Sequence, residues 1–231
     1  MKNGISNKKM VAMVLVSGLW GLVPAFGAII LIGPTTNNGS FESPVMGDVA
    51  DQQTVPGSWT KTQPGTWPPY YVGLSQYHNG ERPHASEGTQ FLLMNNNGIY
   101  QTISATAMAG SIYSLAADYG NGDSGRTGNP DTYTFTLDAV NPSNPGDVVN
   151  LITGIVYNID DSTWRTYSGT SAPVDIAQNG WNLRLTLSVP AIWSTIDNVN
   201  LTVPEPAGLL LLGLGALPVL ARRRRHTAGT A

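Results

Sequence analysis

Apolar and polar residues alternate through much of the middle of this chain. Trp181, Leu183, Leu185, Leu187 and Val189 are separated by Asn182, Arg184, Thr186 and Ser188, and Tyr133, Phe135 and Leu137 are set among Thr132, Thr134 and Thr136. A period of two over that length predicts strands with one face buried and the other toward solvent, as in antiparallel sheets. Ile112, Ser114 and Ala116 oppose Tyr113, Leu115 and Ala117 in the same way. Residues 90–94 form a short apolar run bounded by Gly88 and by Asn95-Asn96-Asn97-Gly98. The Asn-Gly pair marks a turn, and residues 99–103 read as the hairpin partner. Residues 148–158 and 196–203 add two further strands. With a start near Ser40, about eight strands are available, which predicts two packed antiparallel sheets, an all-β jelly-roll sandwich. Residues 48–82 and 120–131 are too punctuated by Gly and Pro, or too polar, to be core strands and read as loops.

Composition supports this picture. The 231 residues include 26 Gly and 16 Pro and only 12% charged residues, which leaves few stretches suited to helix. Cysteine is absent, which excludes disulfides, thiolate catalysis and Cys-type zinc or iron–sulfur sites. From residue 28 to 203 there are 5 basic and 14 acidic side chains, a net charge of -9. That balance disfavours nucleic acid and anionic lipid as partners and suits hard cations such as calcium.

The two ends differ from the middle. Lys2, Lys8 and Lys9 precede an apolar stretch, residues 10–23, and Ala25-Phe26-Gly27 offers small residues two apart. This is the layout of a signal peptide, residues 1–27, cut by signal peptidase after Gly27. A cut after Ala28, or an uncleaved anchor, are the alternatives. The sandwich domain is then placed at residues 37–203, large enough for a core of its own. At the other end, Pro204, Glu205 and Pro206 lead into an uncharged run, residues 207–221, followed by Arg222, Arg223, Arg224 and Arg225. The run is shorter than the roughly 20 residues usual for a bilayer span, and the arginines would hold its end on the cytoplasmic side.

This order of elements resembles the PEP-CTERM sorting signal of exported bacterial proteins. The resemblance covers residues 204–231 and implies a C-terminal transmembrane sorting helix, transient retention in the inner membrane and processing by an exosortase-type membrane protease. The implied location is the cell envelope, as an anchored precursor that becomes surface-associated or secreted.

A second resemblance runs through the middle. Asn38-Gly39-Ser40-Phe41-Glu42, Trp59, Ser86-Glu87-Gly88-Thr89-Gln90-Phe91, Tyr100-Gln101-Thr102, Tyr113-Ser114-Leu115 with Asp118, and Ile196-Asp197-Asn198-Val199 resemble galactose-binding-like jelly rolls. The likeness implies a carbohydrate-binding-module-like sandwich. Several relatives of that fold hold a structural calcium where the first and last strands meet, and Glu42 and Asp197 occupy the matching parts of the pattern. A carboxylate from each end, with nearby carbonyls, can make an oxygen cage; capping a turn and opening a strand are the alternative roles. Asp118 fits either.

Among other candidates, Trp67-Pro68-Pro69-Tyr70-Tyr71 followed by Tyr77 is the most ligand-like segment. Aromatic rings stiffened by proline can stack on sugar rings, which makes Trp67, Tyr70, Tyr71 and Tyr77 candidate contacts to extracellular polysaccharide. Asn121, Asp123 and Asp131 bring oxygen ligands in an acidic Gly/Asn loop, a second candidate calcium site without the spacing of an EF-hand; a plain solvated loop is the favoured alternative. His78 and His84 match no metal motif, Glu81 and Glu87 are not fixed as a glycosidase pair, and Ser86 has no nucleophile-elbow context. The chain therefore reads as an exported, non-catalytic surface or matrix protein that binds glycan. A purely structural envelope protein and a carbohydrate-active enzyme are the alternatives.

Overall fold

The computed structural model describes residues 28–47, 51–63, 71–77, 83–121, 131–158, 163–190 and 193–204. Twelve strands run through them: β1 Ala28–Ile32, β2 Asp51–Gln52, β3 Thr60–Lys61, β4 Tyr71–Gln76, β5 Gln90–Asn95, β6 Asn97–Thr106, β7 Ser114–Asn121, β8 Asp131–Val140, β9 Val148–Asn158, β10 Arg165–Thr170, β11 Asn182–Val189 and β12 Ser194–Pro204. A seven-stranded sheet has the order β10-β7-β12-β5-β4-β2, with β1 paired to β12, and a five-stranded sheet has the order β3-β6-β11-β8-β9. Every pairing between strands is antiparallel.

The alternation in the sequence becomes the core between the sheets. Tyr133, Phe135 and Leu137 of β8 and Leu183, Leu185 and Leu187 of β11 are fully buried there. From the other sheet come Leu92, Met94, Leu115, Ala117, Ile196, Val199 and Leu201. Tyr167 stacks on Phe135 at 4.9 Å and closes one side. Its ring occupies the space that a side chain at Gly154 would need.

Several expectations are corrected. The strands number twelve among the described residues, not about eight: Ser40 lies in a turn rather than a strand, and β1, β2, β3, β4 and β10 are additional, β2 and β3 being two residues each with no readable period. Strand β4 lies inside the stretch 48–82 that reads as loop; five of its six residues are buried, so it shows no alternation. Strands β5 and β6 are not a hairpin. Asn96, with φ 46° in the left-handed region, turns the chain from the seven-stranded sheet into the five-stranded one. The left-handed turn was legible, but a crossing between sheets uses the same residue type as a hairpin.

The sandwich also starts earlier than residue 37. Strand β1 begins at Ala28, and Ala28 pairs with Pro204, so that residue of the expected sorting triplet closes a strand. Glu205, Pro206 and Arg222, Arg223, Arg224 and Arg225 lie outside the described residues, as do residues 1–27. No described helix is long and apolar enough to cross a membrane. The transmembrane sorting helix of the expected fold class, and with it the inner-membrane-anchored precursor, is therefore not supported. Residues 207–221, the run expected to form that helix, also lie outside the described residues.

Candidate active site

The outer face of the seven-stranded sheet carries the unusual chemistry. Cross-strand register places Ser75 beside Phe91, Leu93 beside Thr195 and Thr195 beside Gly120, all facing away from the central core. Phe91 and Leu93 are nonetheless fully buried. Trp164 covers part of this face: its ring meets Phe91 edge-on at 5.7 Å and passes over Gly120, where an added Cβ would lie 3.3 Å from it. The indole N–H donates to the carbonyl of His84 at 2.8 Å, and the His84 ring stacks on Tyr77 at 4.0 Å. A glycine at 120 is what lets the indole approach the sheet so closely.

Next to this aromatic cover lie two carboxylates. Asp197 of β12 and Asp118 of β7 are register partners on adjacent strands. Like charges placed directly opposite are unfavourable in a sheet, so something must compensate them. Asp197 is fully buried. Its Oδ2 accepts the N–H of Ser86 at 2.9 Å and of Glu87 at 2.9 Å, and its Oδ1 accepts the N–H of Asn198 at 2.7 Å. Asp118 accepts from the Thr166 hydroxyl at 2.6 Å and the Asn198 amide at 3.0 Å. The Ser86 hydroxyl stands between the pair, 2.9 Å from Asp118 Oδ2 and 3.1 Å from Asp197 Oδ2. Burial pushes the Asp197 carboxyl up to about 7, against the pull of the N–H and O–H groups that favour its charged form.

A one-residue bulge makes the arrangement. Between Asp197 and Asn200 the register of β12 slips by one against β7, and Asn198 takes a left-handed φ of 47°. Without the slip, strict alternation would put Asp197 and Asn200 on opposite faces; with it both face outward.

Glu42 and Asp197, the candidate calcium pair, grip one segment from two sides. Glu42 Oε1 accepts the N–H of Thr89 at 2.7 Å and of Gln90 at 2.8 Å, while its Oε2 accepts the Thr89 hydroxyl at 2.8 Å. Asp197 holds Ser86 and Glu87 at the other end of that segment. As arranged, all four carboxylate oxygens face N–H or O–H donors rather than a shared ion. Among the described residues no group of three or more His, Asp or Glu is gathered for a metal. Removing the Glu42 carboxylate orphans two backbone N–H groups, so Glu42→Ala is expected to cost about 1–2 kcal/mol, read as a lower melting temperature.

Of the candidate glycan contacts, Trp67 and Tyr70 lie outside the described residues, as do His78 and the loop 122–130. Tyr71 is buried in β4 with its ring 5.6 Å from Trp193. Tyr77 is exposed and stacked on His84. The residues missed as a group are Ser86, Asp118, Thr166 and Trp164, which come from four separate parts of the chain and share no motif.

A comparison with protein families matches residues 33–202, nearly the whole described sandwich, to the HpiC1-like family, described as HpiC1 cyclase. The chain belongs to the HpiC1-like cyclase family. Among solved structures it resembles the Stig cyclase Fisc from Fischerella sp. TAU, with 20% identity, 78% of this chain and 100% of that chain covered and a TM-score of 0.61. An apo cyclase from Fischerella sp. gives 20% identity, 76% and 96% coverage and a TM-score of 0.60. The CBM22-1 xylan-binding domain of Xyn10C from Paenibacillus barcinonensis gives 16%, 80%, 100% and 0.51. At these identities the structural likeness shows the sandwich fold alone. No curated protein matches the chain.

Membership among the HpiC1-like cyclases corrects two expectations. The sandwich is matched by a cyclase family, which overturns its identification as the galactose-binding-like ectodomain of a PEP-CTERM surface protein. The family is one of enzymes, which overturns the reading as a non-catalytic glycan-binding or structural protein. A side-chain cluster assembled across separate segments leaves no linear motif, while the sandwich pattern is shared with binding modules.

Proposed function

We propose that this chain is a cyclase that closes a ring by acid catalysis on the outer face of its seven-stranded sheet. The observation that carries the reading is the pair of opposed carboxylates, Asp197 and Asp118, bridged by a single serine hydroxyl. Burial of Asp197 raises its value to about 7. A general acid poised near neutrality matches what proton transfer to a weakly basic carbon or heteroatom needs.

The aromatic cover fits the rest of the task. Trp164 and the buried Phe91 and Leu93 exclude water beside the acid, and aromatic π-faces stabilise a developing cation. Structures of the Fischerella sp. TAU cyclase hold 4-(1H-indol-3-yl)butan-2-one and (3Z)-3-(1-methyl-2-pyrrolidinylidene)-3H-indole. A 3-substituted indole is accordingly the substrate class to try first here. The test is incubation of the full chain with such indoles bearing an alkene or imine, with chromatography for a cyclic isomer of unchanged mass. Turnover that disappears in Asp197→Asn supports the reading; turnover equal in that variant overturns it.

A further inference from the structure

Strand β9 is a sheet edge without the usual protections. The seven-stranded sheet ends at β10 and β2, the five-stranded sheet at β3 and β9, and β1 is attached beside β12. An open edge is a template for a further strand, and proteins commonly blunt it by shortness, charge or proline. Strands β2 and β3 are two residues each, and β3 carries Lys61. Strand β10 has six residues and opens with Arg165, and β1 has five. Strand β9 runs for eleven residues, Val148–Asn158, with no charged residue and no proline. That is about twice the usual strand length. Its one irregularity is Leu151, the extra residue where the register against β8 slips, which leaves residues 152–158 in unbroken register.

The core is thinly covered along the same flank. Tyr167 of β10 fills the space over Gly154 of β9, so these two sheet ends lie one above the other. Leu151, Val156 and Tyr167 pack against the core but are only partly buried. On the outer face of β9, Ile155 and Tyr157 are 56% and 64% exposed. The surroundings make this strip stand out, since residues 28–203 carry 5 basic and 14 acidic side chains. Two such bodies repel each other unless the contact itself is uncharged.

We propose that β9 pairs with β9 of a second copy of this chain, antiparallel about a two-fold axis, joining two five-stranded sheets into one continuous sheet. The strip supplies its own complement: it is apolar, and it holds no charge that calls for an opposite one. With the axis at Ile155, that residue meets its own counterpart, Thr153 meets Tyr157, and Gly154 meets Val156. The pairing closes at two copies because the same surface is used on both. It covers the exposed edges of Leu151, Val156 and Tyr167. A flank about 35 Å long and roughly 20 Å across gives about 700 Å² per copy, near the roughly 800 Å² of a standard interface. The inference is independent of the cyclase reading, since it involves neither a substrate nor the carboxylate pair.

The experiment is sedimentation velocity of the full chain up to about 100 µM, a range that includes the weaker interfaces of this size. Wild type is expected to sediment as a dimer. Ile155→Lys sets like charges directly opposite each other across the axis and should raise the dissociation constant about tenfold or more. Ile155 is exposed, so the variant should keep its melting temperature as a monomer. A second readout uses the absence of cysteine from the chain. Ile155→Cys should form a disulfide-linked dimer under mild oxidation. Thr102→Cys, exposed on β6 with β11 and β8 between it and the edge, should not. A wild-type chain that stays monomeric throughout overturns the proposal. So does a dimer as strong in Ile155→Lys, growth past two copies, or cross-linking of Thr102→Cys as fast as Ile155→Cys.

Discussion

Asp197→Asn is expected to abolish turnover and to flatten the pH dependence of stability across the mildly acidic range. The first effect follows from removing the protonated carboxyl: general acid catalysis is worth about 10²–10⁴-fold, and the amide has no transferable proton. The second follows from linkage. Burial raises Asp197 in the folded chain from 3.8 to about 7, so between those values the folded state holds a proton that the unfolded state has released. A raised carboxyl favours folding at low pH. Its contribution is fully present below about 4 and is lost as the pH rises through about 7. The difference corresponds to on the order of 4 kcal/mol, a large share of the stability of a domain this size. Wild-type melting temperature should therefore fall between pH 4 and 7 through this group and level off above, whereas Asp197→Asn should lack that part of the slope. The variant should also be less stable at pH 5, because an amide NH2 in place of an oxygen confronts the N–H groups of Ser86 and Glu87 or of Asn198. Chemical denaturation of both proteins across this pH range provides the measurement; identical slopes would show that Asp197 is ionised throughout.

How much of this was legible in the chain can be argued strand by strand. Strands β8 and β11 were, because each has one buried and one solvent face and their alternation survives into Phe135, Leu137, Leu183 and Leu187. Strand β4 was not, since it is covered on both sides and reads as a featureless apolar stretch among prolines. Strand β12 was half legible. Its existence showed, but its bulge did not, and the bulge decides that Asp197 and Asn200 share a face. Asp197 and Glu42 stand out in the sequence as a candidate calcium pair; what they grip, the N–H groups of one segment, depends on a loop conformation that no period encodes. In the sequence the partner carboxylate Asp118 fits the calcium reading and its alternative equally. Its meaning appears once register sets it opposite Asp197, and register is a property of two strands far apart in sequence.

Gly39→Ala is expected to lower the melting temperature by about 10 °C and to weaken catalysis with it. Gly39 sits in the turn after β1, where its N–H donates to the Gly33 carbonyl at 2.9 Å and its carbonyl accepts the N–H of Val199 at 2.8 Å. An added Cβ would fall on the Val199 carbonyl oxygen, 2.8 Å from the Gly33 oxygen and 2.9 Å from the Gly33 carbonyl carbon. All three obstacles are backbone, so no rotamer change relieves the overlap and a strand has to move. A cost of about 3 kcal/mol belongs to that class of overpacking, and at about 2–4 °C per kcal/mol for a domain of this size it gives the stated shift. The site would respond because Val199 lies within the bulge that aims Asp197 and Asn200 outward. Displacing it should pull Asp197 away from Ser86 and leave two buried carboxylates without their bridge. The distinguishing result is a loss of turnover well below the melting temperature, together with faster backbone exchange at Ser86, Glu87 and Asn198. A variant that melts early but turns over normally at low temperature would show that the glycine supports the β1–β12 seam alone and that the bulge holds its shape without it.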